Sequence, residues 1–356
     1  MPHQPIGGPF QAGAIAVAGC SSIRKNSVAA GGRFITGAEV LRLRLRGRDD
    51  IGSESLKYYT DAMSAVVMHF ASGAAFFSGS ICLLAGLLAI TFGRRKGLQA
   101  AGRLLLLVSL FLIVASATPL PFWPWCLWAA SLAFCLGALR PRFSARSRWR
   151  MGALAAAVGC TAAAVGWELP FHLRPRLPAG PFNRLVVIGD SLSAQDFTEG
   201  GDPWPRLLAR DHRIEVVNLA FCGAKAGSAA KRAADEDFTG ALVVLEIGGN
   251  DLLGSASPEQ FEEDLDRLLG TVCRSAKTTA MLELPLPPLY NRFGAIQRRL
   301  ARRHGVVLIP KRYFAGVLTG EEATIDRLHL SPAGHRRMAD TIWSLVGQMH
   351  SSRSAR

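Results

Sequence analysis

The sequence predicts an α/β domain on a five-stranded parallel sheet, preceded by about four transmembrane helices. In the second half, five short β-rich apolar runs alternate with helical stretches, the pattern of a parallel sheet covered on both faces. In the first half, long uncharged runs alternate with arginine-rich segments. Charge divides the chain in the same place. Of 41 Lys and Arg, 19 fall in residues 1–179 against 6 Asp and Glu, whereas residues 180–356 are nearly balanced at 22 against 21. The net charge of +14 therefore belongs to the apolar half. It reads as a topology signal and not as a nucleic-acid face, for which the second half lacks a basic patch with interleaved aromatics.

Residues 66–92 contain no Asp, Glu, Lys or Arg, long enough for a tilted span. After "GRRKGLQAAGR" come two further spans, 101–119 and 121–139, joined at "PLPFWPW". Trp123, Trp125 and Trp128 there suit a membrane interface. Arg140, Arg142, Arg146, Arg148 and Arg150 then precede an alanine-rich run, 151–169, which is the weakest span because alanine gains little on entering lipid. With four spans the two arginine-rich loops share one side. The positive-inside rule makes that side cytoplasmic and puts both chain ends, with the second half, on the extracytoplasmic (periplasmic) side. Residues 1–62 are expected to be a disordered tail, or to be absent if the natural start is Met63 or Met68. "AVAGC" ending at Cys20 lacks the preceding basic residue and long apolar run of a signal peptide. Residues 171–181 read as a linker and 349–356 as a second tail.

The predicted strands are "RLVVI" at 184, "IEVVNLA" at 214, "ALVVLEI" at 241, "TTAMLEL" at 278 and "GVVLI" at 305. Helix starts follow Asp202-Pro203, Ser257-Pro258 and Ser331-Pro332, with Gln260 completing a capping pattern. In parallel sheets the site lies at the carboxyl ends of the strands. The loops there carry Asp190-Ser191, "NLAFCG" with Gly223, and "GGND" with Asn250. Past the last strand, "DRLHLSPAGH" holds Asp326 and His329.

These residue types fit one chemistry. A serine hydroxyl needs an adjacent base near neutral pH, histidine is the usual one, and its tautomer is set by a carboxylate. A tetrahedral intermediate needs aimed donors, which the Ser191 and Gly223 N–H groups and the Asn250 amide can supply. The seven cysteines form no CxxC or zinc-like spacing, so no metal site is expected, and the serine chemistry itself requires no metal or organic cofactor. His335 reads as a packing or surface residue, His212 and His304 as exposed, and Lys225 as a solvated loop residue.

At these residues the sequence resembles the GDSL, or SGNH, family of esterases and lipases, over about 182–348. "GDSLS" resembles its first block, "NLAFCG" its second, "GGND" its third and "DRLHLSPAGH" its fifth, and "WPRLLA" is also similar. The resemblance implies a flavodoxin-like α/β/α sandwich, with Ser191 as nucleophile, Asp326 and His329 as acid and base, and Ser191, Gly223 and Asn250 forming the oxyanion hole. Together with the apolar spans, it implies a membrane-anchored serine hydrolase acting on small-molecule, lipid or glycan esters or thioesters. The alternatives are an O-acyltransferase acting on envelope glycans with the same triad, and a noncatalytic binding protein built on a retired hydrolase domain. Ala224-Lys225 after Gly223, and Arg327 between acid and base, depart from the family pattern.

Overall fold

The computed structural model describes residues 65–138, 147–178, 180–194, 201–254, 256–287, 290–325 and 329–351. The amino-terminal tail up to residue 64, with Cys20 and Met63, lies outside them, and so does Asp326.

The apolar half forms two helical hairpins. The first joins α1 (Ala74–Phe92) to α2 (Lys96–Ala115), and the second joins α3 (Phe122–Ala138) to α4 (Ser147–Glu168). The uncharged run from 66 is not one helix. Residues 65–71 are helical, and Gly73 then takes φ +84°, a conformation that costs glycine little, before α1 begins. Gly86 and Gly102 face each other across the first hairpin, where a side chain on either would meet the other's carbonyl at 2.9 Å. Small residues at such a crossing let the backbones approach closely. In the second hairpin Trp128 Nε1 donates to Thr161 Oγ1 at 3.1 Å. Ile81, Leu104, Leu107 and Phe111 point outward, each more than 60 % exposed, an apolar surface larger than soluble proteins usually leave open. Among the described residues, three helices are long and apolar enough to cross a membrane: Ala74–Phe92, Lys96–Ala115 and Arg148–His172. The alanine-rich run is thus among them, and the shorter one is the tryptophan-bearing α3.

A short 3-10 helix, Leu169–His172, follows α4. The segment after it runs along the second half of the chain, where Leu177 packs on the core and Lys277 Nζ donates to the Pro181 carbonyl.

The second half is a doubly covered parallel sheet with strand order β2-β1-β3-β4-β5. Its strands are β1 (Leu185–Gly189), β2 (Val216–Asn218), β3 (Leu242–Glu246), β4 (Thr278–Leu282) and β5 (Val307–Ile309). The three central strands are buried throughout and the two edge strands are only three residues long, as expected when helices cover both faces. The helices are α5 (Trp204–His212), α6 (Ala226–Ala233), α7 (Gly249–Leu253), α8 (Pro258–Val272), α9 (Asn291–His304), α10 (Lys311–Leu318) and α11 (Pro332–Ser351). Ser257 caps α8, its hydroxyl accepting from Gln260 N at 3.1 Å, and Ser331 caps α11 through Gly334 N at 3.1 Å. Asp202 does not cap α5; its carboxylate pairs with Arg206 and Arg210 one and two turns on.

The two halves meet through buried charge. Arg298 of α9 is held by both Glu168 oxygens at 2.6 and 2.8 Å and by Glu283 at 2.6 Å. Lys311 lies 3.8 Å from each carboxylate and donates to the Ala117 carbonyl. Burial pulls the Lys311 pKa down, and Glu283 opposes that pull. Phe171 stacks 3.7 Å beneath the Arg298 guanidinium, and Asn291 Nδ2 donates to Ser116 O at 3.2 Å.

Candidate active site

Gly189 ends β1 and Asp190 begins the turn that presents Ser191, which is half-buried. Ser193 and Ala194 N–H groups donate back to the Asp190 carbonyl at 3.1 and 3.0 Å, and Leu192 N–H donates to the Asp190 carboxylate at 3.0 Å. Beneath the turn sits Glu246, the last residue of β3 and fully buried. Its Oε2 accepts from Ser193 Oγ at 2.9 Å and from Asp190 N–H at 3.3 Å. Trp204 Nε1 donates to Ser193 Oγ at 3.0 Å, and Asn218 Nδ2 to Ser193 O at 2.8 Å. Position 189 has to be glycine here, since a Cβ would lie 2.7 Å from Ser193 Oγ and 2.9 Å from Glu246 Oε2.

The loop after β2 carries Gly223 at φ +72°, exposed, with open space where a side chain would stand. Glycine tolerates that left-handed backbone and leaves its N–H accessible. Asn250 opens α7 beyond β3. Its amide bridges the loops, donating to Asp190 Oδ2 at 3.2 Å and to the Ala224 carbonyl at 3.1 Å. The neighbouring Asp251 accepts from Ala226 N at 3.0 Å, pinning the start of α6. His329 is half-buried just before α11, close enough to Asp190 for its charge to favour that carboxylate.

Structure therefore brings four of the five expected site residues to one edge of the sheet: Ser191, Gly223, Asn250 and His329. Asp326, expected as the acid, lies outside the described residues. Expectation placed Asn218 in its strand-end loop without a role and missed Glu246, Ser193 and Trp204, which with Asn218 hold the turn. One signal was available: an acidic residue inside the otherwise apolar run "ALVVLEI". His335 is buried, and its Nδ1 accepts from Trp204 N–H at 3.4 Å. His212 and His304 are not simply exposed: one stacks on Trp343 at 3.6 Å and the other bonds Asp266 at 2.7 Å.

Burial raises the Asp190 pKa to about 6. Glu246 is raised well above the usual carboxyl range by burial and then by the adjacent Asp190 charge. Both groups hold protons in the folded chain at pH values where their unfolded counterparts have lost them. Their contribution to stability therefore falls as pH rises above the ordinary carboxyl range. His335 slopes the other way: burial lowers its pKa to about 4, so its contribution is complete above about 6.5 and is lost as pH falls. Comparing wild type with Glu246→Gln isolates the carboxyl. Wild type is expected to lose melting temperature relative to the variant between pH 5 and pH 8. A difference constant across that range would remove Glu246 as the source.

A strand-end serine, a loop histidine and the Asn250 amide thus stand at one edge of an α/β sheet, the residue types an ester-cleaving site requires. The profile of the GDSL-like lipase/acylhydrolase family matches residues 187–337. Thioesterase 1/protease 1/lysophospholipase L1 of Escherichia coli K12 is 32 % identical over 155 residues, covering 40 % of this chain and 74 % of that protein. An arylesterase of Vibrio mimicus is 27 % identical over 172 residues, covering 45 % of this chain and 86 % of that one. The crystal structure of TesA aligns at a TM-score of 0.41 with 26 % identity, covering 47 % of this chain and 99 % of that one. The chain belongs to the GDSL-like lipase/acylhydrolase family and is an esterase of that type.

Proposed function

We propose that the protein is a membrane-anchored serine hydrolase that cleaves carboxylic esters or thioesters through an acyl-enzyme on Ser191. The observation that carries this reading is the Asn250 amide bridging Asp190 and Ala224, which gathers the serine turn, the Gly223 loop and the start of α7 around one point. His329 removes the Ser191 proton as Oγ bonds to the acyl carbon, and Asp326 orients the imidazole. The oxyanion is met by the Ser191 and Gly223 N–H groups and by the Asn250 amide, one of whose hydrogens turns from its resting partner to the substrate oxygen. The C–O or C–S bond then breaks and His329 returns the proton to the leaving group. Water, deprotonated by His329, releases the acyl group and restores the serine.

Ester and thioester substrates are supported by the relatives' names, thioesterase and arylesterase among them. Membrane anchoring is supported by the three helices long and apolar enough to span. The catalytic domain packs at the end of the first hairpin opposite Arg94, Arg95 and Lys96, so the positive-inside rule favours an extracytoplasmic domain.

A fluorophosphonate probe applied to the full chain in detergent tests the nucleophile. Labelling is expected on the peptide containing Ser191. Failure to label, or labelling at a different serine, would overturn the proposal.

A further inference from the structure

We infer that the carboxyl edge of the sheet lies against the bilayer holding α1–α4, and that the site draws its esters from that bilayer, not from solution. This inference rests on the proposed Ser191 chemistry and names the physical form of its substrate: an amphiphilic ester whose acyl chain resides in lipid.

Two independent observations carry it. The first is where the apolar helices dock. Lys311 lies two residues past β5, Glu283 directly follows β4, and Asn291 opens the helix after β4. These are carboxyl-edge positions, and they hold Ala117, Ser116 and, through Arg298, Glu168. Ser116 and Glu168 mark the ends of α2 and α4. In a parallel sheet every carboxyl end lies on the same edge, so the docked helix ends share an edge with Ser191, Gly223 and Asn250. Strands lie about 4.8 Å apart, so β5, two strands from β3, puts the docked ends about 10 Å along that edge from Asn250. The contact is closed by buried charge.

The second is the distribution of exposed apolar side chains. From β1 onward, among the described residues, the exposed large hydrophobics are Leu253, Tyr290 and Ile325. Leu253 ends α7 beyond β3, Tyr290 precedes α9 beyond β4, and Ile325 lies in the His329 loop. All three rim the same edge. The opposite edge exposes Arg213, Glu215, Asp235, Asp237, Arg274 and Lys277. Exposed apolar side chains beside the docked spanning helices, with the exposed Arg292–Glu259 pair among them, fit the headgroup surface of a bilayer.

The test uses the full chain reconstituted in phosphatidylcholine vesicles, assayed with 4-methylumbelliferyl acetate in solution and 4-methylumbelliferyl palmitate in the bilayer. Leu253→Gln with Tyr290→Gln is expected to lower palmitate turnover about tenfold, the scale of losing about two buried methylene groups between them, and to leave acetate turnover within about twofold. Equal losses on both esters, or none on palmitate, would overturn the inference. Benzoylphenylalanine at position 253 or 290 is expected to crosslink vesicle phospholipid, and at position 235 not to. Absence of lipid adducts at 253 and 290, or equal adducts at 235, would also overturn it. Ser191→Ala separates the two proposals: turnover surviving in that variant counts against the nucleophile and leaves the crosslinking result to judge the orientation.

Discussion

Ser191→Ala is expected to lower turnover of a short acyl ester at least about 10⁴-fold, the scale seen when a serine nucleophile is removed from a working triad. The fold should survive. The turn is held by the Asp190 carbonyl, by Ser193 and by Glu246, not by the Ser191 side chain. An unchanged unfolding midpoint with lost turnover is the expected pair of results. His329→Ala should fall to the same level, and the double variant no further, because the two act as a unit. Full activity in either single variant would dismiss the assignment.

Arg298→Met is expected to destabilise the protein by about 3–5 kcal/mol, the usual cost of leaving buried partners unpaired. Glu168 would then keep Lys311 and His172, and Glu283 would keep Lys311, with both carboxylates nearly inaccessible to water. For a domain of this size that loss corresponds to a fall in melting temperature of roughly 10 °C. Adding Glu168→Leu should recover much of it, since one carboxylate and one ammonium remain and replacing a buried pair with apolar groups is often close to neutral. Arg298→Lys should fall between, because an ammonium cannot meet two carboxylates in the forked geometry seen here. A melting temperature unchanged by Arg298→Met would show that the cluster does not hold the halves together.

These two predictions differ in how much of their basis could be read from the sequence. The five strands stand where the apolar runs place them, from β1 at Leu185 to β5 at Val307. Each run is short, β-branched and bounded by turn residues, so local preference and burial agree. Ser191, Gly223, Asn250 and His329 were legible because each occupies a loop that a parallel sheet must carry to its carboxyl edge. The break at Gly73 was not legible, because hydropathy reports the length of an apolar run and not the backbone angle within it. The role of Glu246 was hidden for a related reason. Its partners Ser193 and Asp190 lie more than fifty residues away, and no local pattern indicates that a buried strand-end carboxyl will support a turn on the neighbouring strand.

The sequence by itself determined the α/β class, the order of the strands along the chain, the family and the candidate chemistry. All follow from periodicity, turn chemistry and residue type at strand ends, which are local properties. Only the tertiary structure decided how the catalytic domain meets the apolar helices. Glu168 and Arg298 are separated by 130 residues and Lys311 and Ala117 by 194, and such pairings depend on which strand ends lie side by side. The same closure placed Leu253, Tyr290 and Ile325 on one edge with Ser191. Charge and hydrophobicity are written in the chain, but the surface on which they converge exists only once the sheet has formed.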